Sequence, residues 1–158
     1  MTWLGRWGYR SALLVLRAWW VVRRPRTDGV RCVLRWGDAF VLVRHTYGDD
    51  GWMLPGGRIG RGESPVETAR REMRQELGVA GTGWRQLGYV APRREFRRRS
   101  RHEPFRRHGT YYVRADVDGA ALTPRPAELY EAGWFTLAAL PAGCSDALAL
   151  PLAQEWLH

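Results

Sequence analysis

Glu72 and Glu76 stand four residues apart, downstream of a glycine-rich run that begins at Gly56-Gly57 and passes through Gly60 and Gly62. On a helix, positions i and i+4 lie on one face, about 6 Å apart along the axis, so the two carboxylates converge on one point. That spacing suits a hard divalent cation. Magnesium takes oxygen ligands in octahedral geometry, usually one or two carboxylates with waters and substrate phosphate filling the rest. A backbone carbonyl of the Gly56-Gly57 turn, with Gly57 itself a candidate, can add a further oxygen. Such a loop and helix can hold a divalent metal against phosphate, with cationic charge to neutralise the phosphate oxygens and a carboxylate that can orient or deprotonate water.

The elements that must hold these groups are well signalled. Ser64 is an N-cap, Pro65 fits the first helical position and Glu67 completes a capping box, while Gly78 stops the helix. Along it Val66, Ala69 or Met73, and Leu77 form the expected buried stripe, which leaves Glu72, Gln75 and Glu76 on a separate face toward a cleft. Upstream, Val30 to Trp36 and Ala39 to Arg44 alternate as a strand hairpin through Gly37-Asp38. Tyr47 to Gly51 is a polar loop, Trp52-Met53-Leu54 a short strand and Pro55-Gly56-Gly57 a tight turn. Downstream, Trp84 to Ala91, Thr110 to Asp118 and Glu131 to Phe135 are strands, Asp146 to Leu157 is a terminal helix, and Arg93 to His108 is a long mobile loop. This order predicts an α/β sandwich with a mixed central sheet.

The run Gly57 to Val79 resembles the Nudix box, Gly-x5-Glu-x7-Arg-Glu-U-x-Glu-Glu-x-Gly-U with U apolar, and the wider likeness spans roughly Thr27 to Pro141. The resemblance implies a Nudix-like α/β/α sandwich and a pyrophosphohydrolase that uses magnesium, with manganese as a substitute. It implies that Glu72 and Glu76 ligate the metal, that Glu63 supports the cluster and that Arg71 orients a carboxylate. Glu128, in the stretch Pro126 to Glu131, is similar to an acidic residue that family members place before the last strands. Gln75 is the departure. It stands where the box has a glutamate, and its amide oxygen can coordinate but brings no negative charge.

The rest of the chain bounds these readings. At 158 residues, 45% of them hydrophobic, it is long enough for one enzyme domain. We divide it into a basic amphipathic helical segment, 1–26, and a Nudix-like hydrolase domain, 27–158. The net charge is +9 and every basic residue is arginine. A GC-rich coding sequence gives that bias, and the same charge favours anionic partners. The N-terminal apolar stretch, Ala12 to Val22, is too short to span a membrane, although the segment suits packing, a homodimer contact or a membrane surface. Cys32 and Cys144 are too few for a disulfide framework or a zinc site, so reduced thiols and a cytoplasmic home are expected. His45, His102, His108 and His158 receive no chemistry. Arg44 and Arg58 are candidate phosphate contacts, and Trp52 is either a stacking surface for a nucleobase or a core residue.

Two functions follow from these readings. The first is hydrolysis of a nucleoside diphosphate linked to another moiety, with a nucleotide-type substrate and RNA ends within its range. The second is a catalytically weakened protein that binds nucleic acid or an anionic surface through its arginine-rich loop. Gln75 separates them: Gln75→Glu is expected to tighten metal binding, read as a lower magnesium concentration for half-maximal activity, and an unchanged half-saturation refutes a metal role for this position.

Overall fold

The computed structural model describes residues 28–46, 51–91 and 109–144, together with Leu148, Pro151, Gln154 and Trp156. The segment 1–26, the arginine run 93–108 and most of the expected terminal helix, 146–157, lie outside these residues. Five strands form a mixed sheet: β1 Gly29–Trp36, β2 Ala39–His45, β3 Thr82–Val90, β4 Thr110–Asp116 and β5 Leu129–Phe135, in the order β3-β4-β1-β2-β5. Only β1 and β4 run parallel, registered from Gly29 against Thr110 to Arg35 against Asp116. Among the described residues one α-helix, α1 Pro65–Leu77, lies on one face of the sheet. The α/β class and mixed sheet are as the sequence predicts.

Alternation in the strands builds two core layers. Val30, Cys32 and Leu34 of β1 meet Val41 and Val43 of β2, Val113 and Ala115 of β4, and Ala69, Met73 and Leu77 of α1. On the opposite face Val33, Phe40, Leu42 and Tyr112 pack with Trp52, Leu54 and Leu148, and Trp156 joins at the margin. Cys32 and Cys144 are free thiols.

The hairpin forms at Gly37-Asp38, with Gly37 in the left-handed region at φ 63°. Its strands pair only at Arg35–Phe40 and Trp36–Ala39 before they part. Residues 52–57 fill the gap. Met53 exchanges both backbone hydrogen bonds with Val43 of β2, at 2.9 and 3.0 Å, after which the Pro55 and Gly57 carbonyls accept from Cys32 and Val30 of β1 at 2.8 Å each. Trp52 to Leu54 is therefore a pair of isolated bridges within this wedge and not a separate strand. The Gly56 backbone (φ 154°) passes so close to Val30 that any Cβ there would overlap the Val30 carbonyl. The sequence boundaries also shift slightly, since β3 starts at Thr82 and β5 at Leu129, where pairing with β4 and β2 continues.

Helix α1 carries the predicted signals. The Ser64 hydroxyl accepts from Glu67 N–H at 3.2 Å and the Glu67 carboxylate accepts from Ser64 N–H at 2.8 Å, closing the capping box. Gly78 ends the helix at φ 68°. One expectation is corrected. Core and acidic residues do not occupy separate faces: Thr68 and Glu76 are buried with Ala69, Met73 and Leu77, whereas Val66 is only half-buried. Glu76 follows Met73 by three positions, close enough around the helix to share its buried side.

Gly56→Ala is expected to destabilise the fold by more than about 2 kcal/mol, because the wedge must move away from β1. The open position Gly119 provides the control, with Gly119→Ala within about 0.5 kcal/mol of wild type. Chemical denaturation of both variants checks this, and equal stabilities would refute the close-approach reading.

Candidate active site

Arg71 is the hub of the acidic cluster. Its Nε donates to Glu63 Oε1 at 2.9 Å and its Nη2 to Glu63 Oε2 at 3.0 Å, a two-pronged pair. Nη1 donates to Glu72 Oε1 at 2.9 Å and to Gln75 Oε1 at 3.3 Å, and Nη2 also reaches the Arg58 carbonyl at 3.4 Å. Glu63 in turn accepts from the buried Thr68 hydroxyl at 2.8 Å and from Gly60 N–H at 3.1 Å. These donors, Arg71 first and Thr68 second, pull the Glu63 carboxyl down to about 2. Arg71 is held firmly protonated by the same pair.

Glu72 lies over the glycine turn. A Cβ on Gly57 would overlap its carboxylate, so the absent side chain is the space that the acid occupies. The Gly57 carbonyl already accepts the Val30 N–H, which ties this turn to β1. Glu76 is only 4% exposed, and its Oε2 is buried without a hydrogen-bond partner. Burial, then the Glu72 charge, then that of Glu128, raise its carboxyl to about 7, against Arg31 and a hydrogen bond from Gly56 N–H. A buried oxygen without a partner is costly unless something completes it.

Glu128 is exposed, yet its backbone is fixed beside the cluster. Arg125 N–H donates to the Glu76 carbonyl at 2.8 Å, and Thr46 N–H donates to the Glu128 carbonyl at 3.0 Å, so the 123–128 segment joins the end of α1 to the end of β2. The Glu128 carboxylate accepts from Arg125 at 3.1 Å. Among the described residues no three His, Cys, Asp or Glu side chains already converge as a cage. Magnesium does not require one, because one or two carboxylates suffice when substrate and water supply the remaining oxygens. The orphaned Glu76 Oε2, the adjacent Glu72 and the space above Gly57 fit that demand.

Several candidates from the sequence lie elsewhere. Trp52 is 8% exposed and packs edge-on to Phe135, with ring centroids 4.8 Å apart, so its ring is committed to the core on the face opposite α1. Arg44 pairs with Glu131 at 3.2 Å and lies over the Tyr130 ring at 4.8 Å. Arg58 is exposed at the rim, in line with the glycine turn. Gln75 is exposed and engaged with Arg71, outside the buried pair.

Arg31 is the residue that sequence reading missed. It sits in β1 between buried Val30 and Cys32, its Nη1 donates to the Leu54 carbonyl at 2.9 Å, and its charge reaches Glu76. The signal was an arginine set between apolar residues in β1, a pattern that Arg35 repeats. Arg31 is half-buried because the wedge meets it at the Leu54 carbonyl, a long-range contact that the strand pattern does not encode.

Comparison with known proteins places this geometry. A model of the NUDIX domain matches residues 25–154. An RNA pyrophosphohydrolase of Halorhodospira halophila is 39% identical over 69 residues, a match covering 39% of this chain and 38% of that relative. The fold is similar to a MutT NUDIX hydrolase from Burkholderia pseudomallei, with TM-score 0.69, 20% identity and 82% and 98% of the two chains covered. It is also similar to the NUDIX domain of Shewanella oneidensis NrtR in complex with ADP ribose, with TM-score 0.64, 23% identity and 85% and 90% covered.

The Glu76 shift makes the metal-free protein pH-dependent. Its folded value lies above the ordinary 4.5, so the stability that its proton contributes is present below about pH 4.5 and lost as pH rises to about 7. Glu76→Gln, which cannot ionise, is therefore expected to match wild type at pH 4.5 and to be more stable at pH 8 by up to about 3 kcal/mol, with a correspondingly higher melting temperature. Magnesium should raise the wild-type melting temperature and not that of the variant. Thermal melts in chelator and in magnesium measure both, and a variant less stable than wild type at pH 8 would overturn the buried-anion assignment.

Proposed function

The chain belongs to the NUDIX domain family, and from that membership and the pairing of buried Glu76 with half-buried Glu72 we propose that it is a magnesium-dependent pyrophosphohydrolase. Its substrate in this reading is a nucleoside diphosphate linked to another moiety, cleaved to a nucleoside monophosphate and a second phosphorylated product. Nudix hydrolases generally use divalent metal ions. Glu72 and Glu76 would hold the ion, with Glu63 behind them and Glu128 at the margin. A bound ion would supply charge neutralisation on the pyrophosphate oxygens.

The observation that carries this reading is the Glu76 Oε2 atom, buried and without a partner beside a second carboxylate. The chain's own groups divide the remaining work. Arg71 fixes the Glu72 carboxylate through Oε1 and leaves Oε2 for the site. Burial and the neighbouring Glu72 charge raise the Glu76 carboxyl to about 7, so a bound cation would favour its ionised form and complete the pair. Arg58, at the exposed rim, is suited to a substrate phosphate, as a second anchor away from the buried pair.

Gln75 supports a second reading, a catalytically weakened protein that binds nucleic acid or an anionic surface through its arginine-rich loop. Its amide oxygen adds no charge and is occupied by Arg71 at 3.3 Å. The buried Glu76 beside the half-buried Glu72 favours the enzyme, because a site released from metal chemistry gains from losing such an anion.

The deciding experiment offers nucleotide sugars, ADP-ribose, dinucleoside polyphosphates, nucleoside triphosphates and 5′-triphosphate RNA with magnesium or manganese. One substrate cleaved by wild type, and at least about 10²-fold more slowly by Glu76→Gln, is expected. Silence across the panel with both metals would refute the enzyme and leave the binding protein.

A further inference from the structure

Helix α1 has a second charged side. Arg70 and Arg74 stand four apart, like Glu72 and Glu76, but two positions displaced in each case, which carries them to the other flank of the helix. There the helix, the following turn and the start of edge strand β3 enclose a groove of about 290 Å³, lined by Arg70, Arg74, Trp84 and residues 79–83. The Arg70 guanidinium lies 5.8 Å from the Trp84 ring centroid. Trp84 itself is anchored, since its indole N–H donates to the Gly81 carbonyl at 2.6 Å.

Neither arginine forms an ion pair among the described residues. The acids nearby are already engaged: Glu67, whose carboxyl feels the Arg70 charge, accepts from the Ser64 N–H, and Asp116, beside Gly83, is held by Arg114 at 3.5 Å. Two guanidiniums about one helical turn apart, over a recess of this size, present forked donors to phosphate without having to break an internal pair. The recess also argues against a membrane surface, which is met by an exposed apolar face laid on a plane. Val79 is buried, and Trp84 is half-buried and committed to the core.

We propose that the groove between α1 and β3 is a second anion site, and that it takes the backbone phosphates of a single nucleic-acid strand through Arg70 and Arg74. The site is separate from the carboxylate pair and needs neither metal nor hydrolysis. Its place on the opposite flank of the same helix sets it about one helix diameter, some 10 Å, from the acidic cluster. A strand held there would run past the candidate catalytic centre without entering it.

The test is fluorescence anisotropy with a labelled single-stranded RNA that has a 5′-hydroxyl and no anhydride, in chelator, so that binding is read apart from any reaction. Arg70→Gln/Arg74→Gln is expected to weaken binding at least about tenfold and to reduce the salt slope by about 1.4, two phosphate contacts on a single strand. The same loss should appear in an Arg97→Ala/Arg98→Ala/Arg99→Ala background, which removes part of the other basic segment. Arg70→Lys/Arg74→Lys should recover part of the affinity, and circular dichroism melts verify that each variant is folded. Equal affinity of wild type and the glutamine variant overturns the proposal. So does arginine-dependent binding to phosphatidylserine vesicles with no arginine-dependent binding to RNA.

Discussion

The fork between Arg71 and Glu63 organises the acidic cluster. One guanidinium, fixed by two bonds to a single carboxylate, has donors left for Glu72, Gln75 and the Arg58 carbonyl, so one side chain sets the position of the loop and of the helix face together. Both partners are about a third exposed, so water screens the attraction. The pair therefore matters more for direction than for stability. Without it, Glu72 would lose its Arg71 donor, and Glu63 would keep only the Thr68 and Gly60 donors.

A second constraint comes from the sheet. β1 and β2 part after two residue pairs, and the gap is closed by the 52–57 wedge, whose backbone bonds first to one strand and then to the other. The wedge is what brings the glycine turn under α1. It also provides the Gly56 N–H that donates to the Glu76 carboxylate. A side chain at position 56 or 57 would strike the Val30 carbonyl or the Glu72 carboxylate, so the glycines are imposed by space on both sides of the wedge.

These features place an energetic liability at the centre of the domain. Glu76 is buried beside another acid, and one of its oxygens has no partner. Such an arrangement opposes folding at neutral pH and favours cation binding for the same reason, since a divalent ion removes the repulsion and completes the oxygen. The two core layers supply the compensating stability: the helix-side layer includes Met73 and Leu77, which have no exposed surface, close to the buried carboxylate. The site is thus mounted on one of the most tightly packed stretches of the chain.

Much of this was legible in the residues themselves. The helix limits came from Ser64, Pro65, Glu67 and Gly78, because caps are local hydrogen-bond and backbone chemistry. The hairpin at Gly37-Asp38 and the α/β class were readable from period and turn residues, and the i, i+4 spacing placed Glu72 and Glu76 on successive turns of one helix. What the sequence could not show were matters of long-range contact. The burial of Glu76 depends on a glycine turn some twenty residues upstream, the approach of Glu128 on a segment that caps the end of α1 from fifty residues downstream, and the role of Arg31 on a wedge that covers its strand. Trp52 had two readings in the sequence, stacking surface or core, and its packing against Phe135 chose the second. Sequence alone fixed which residues carry charge and where the helix begins and ends; only the tertiary structure decided which of those charges is taken out of water, because solvent exclusion is a property of the assembled layers and not of any segment.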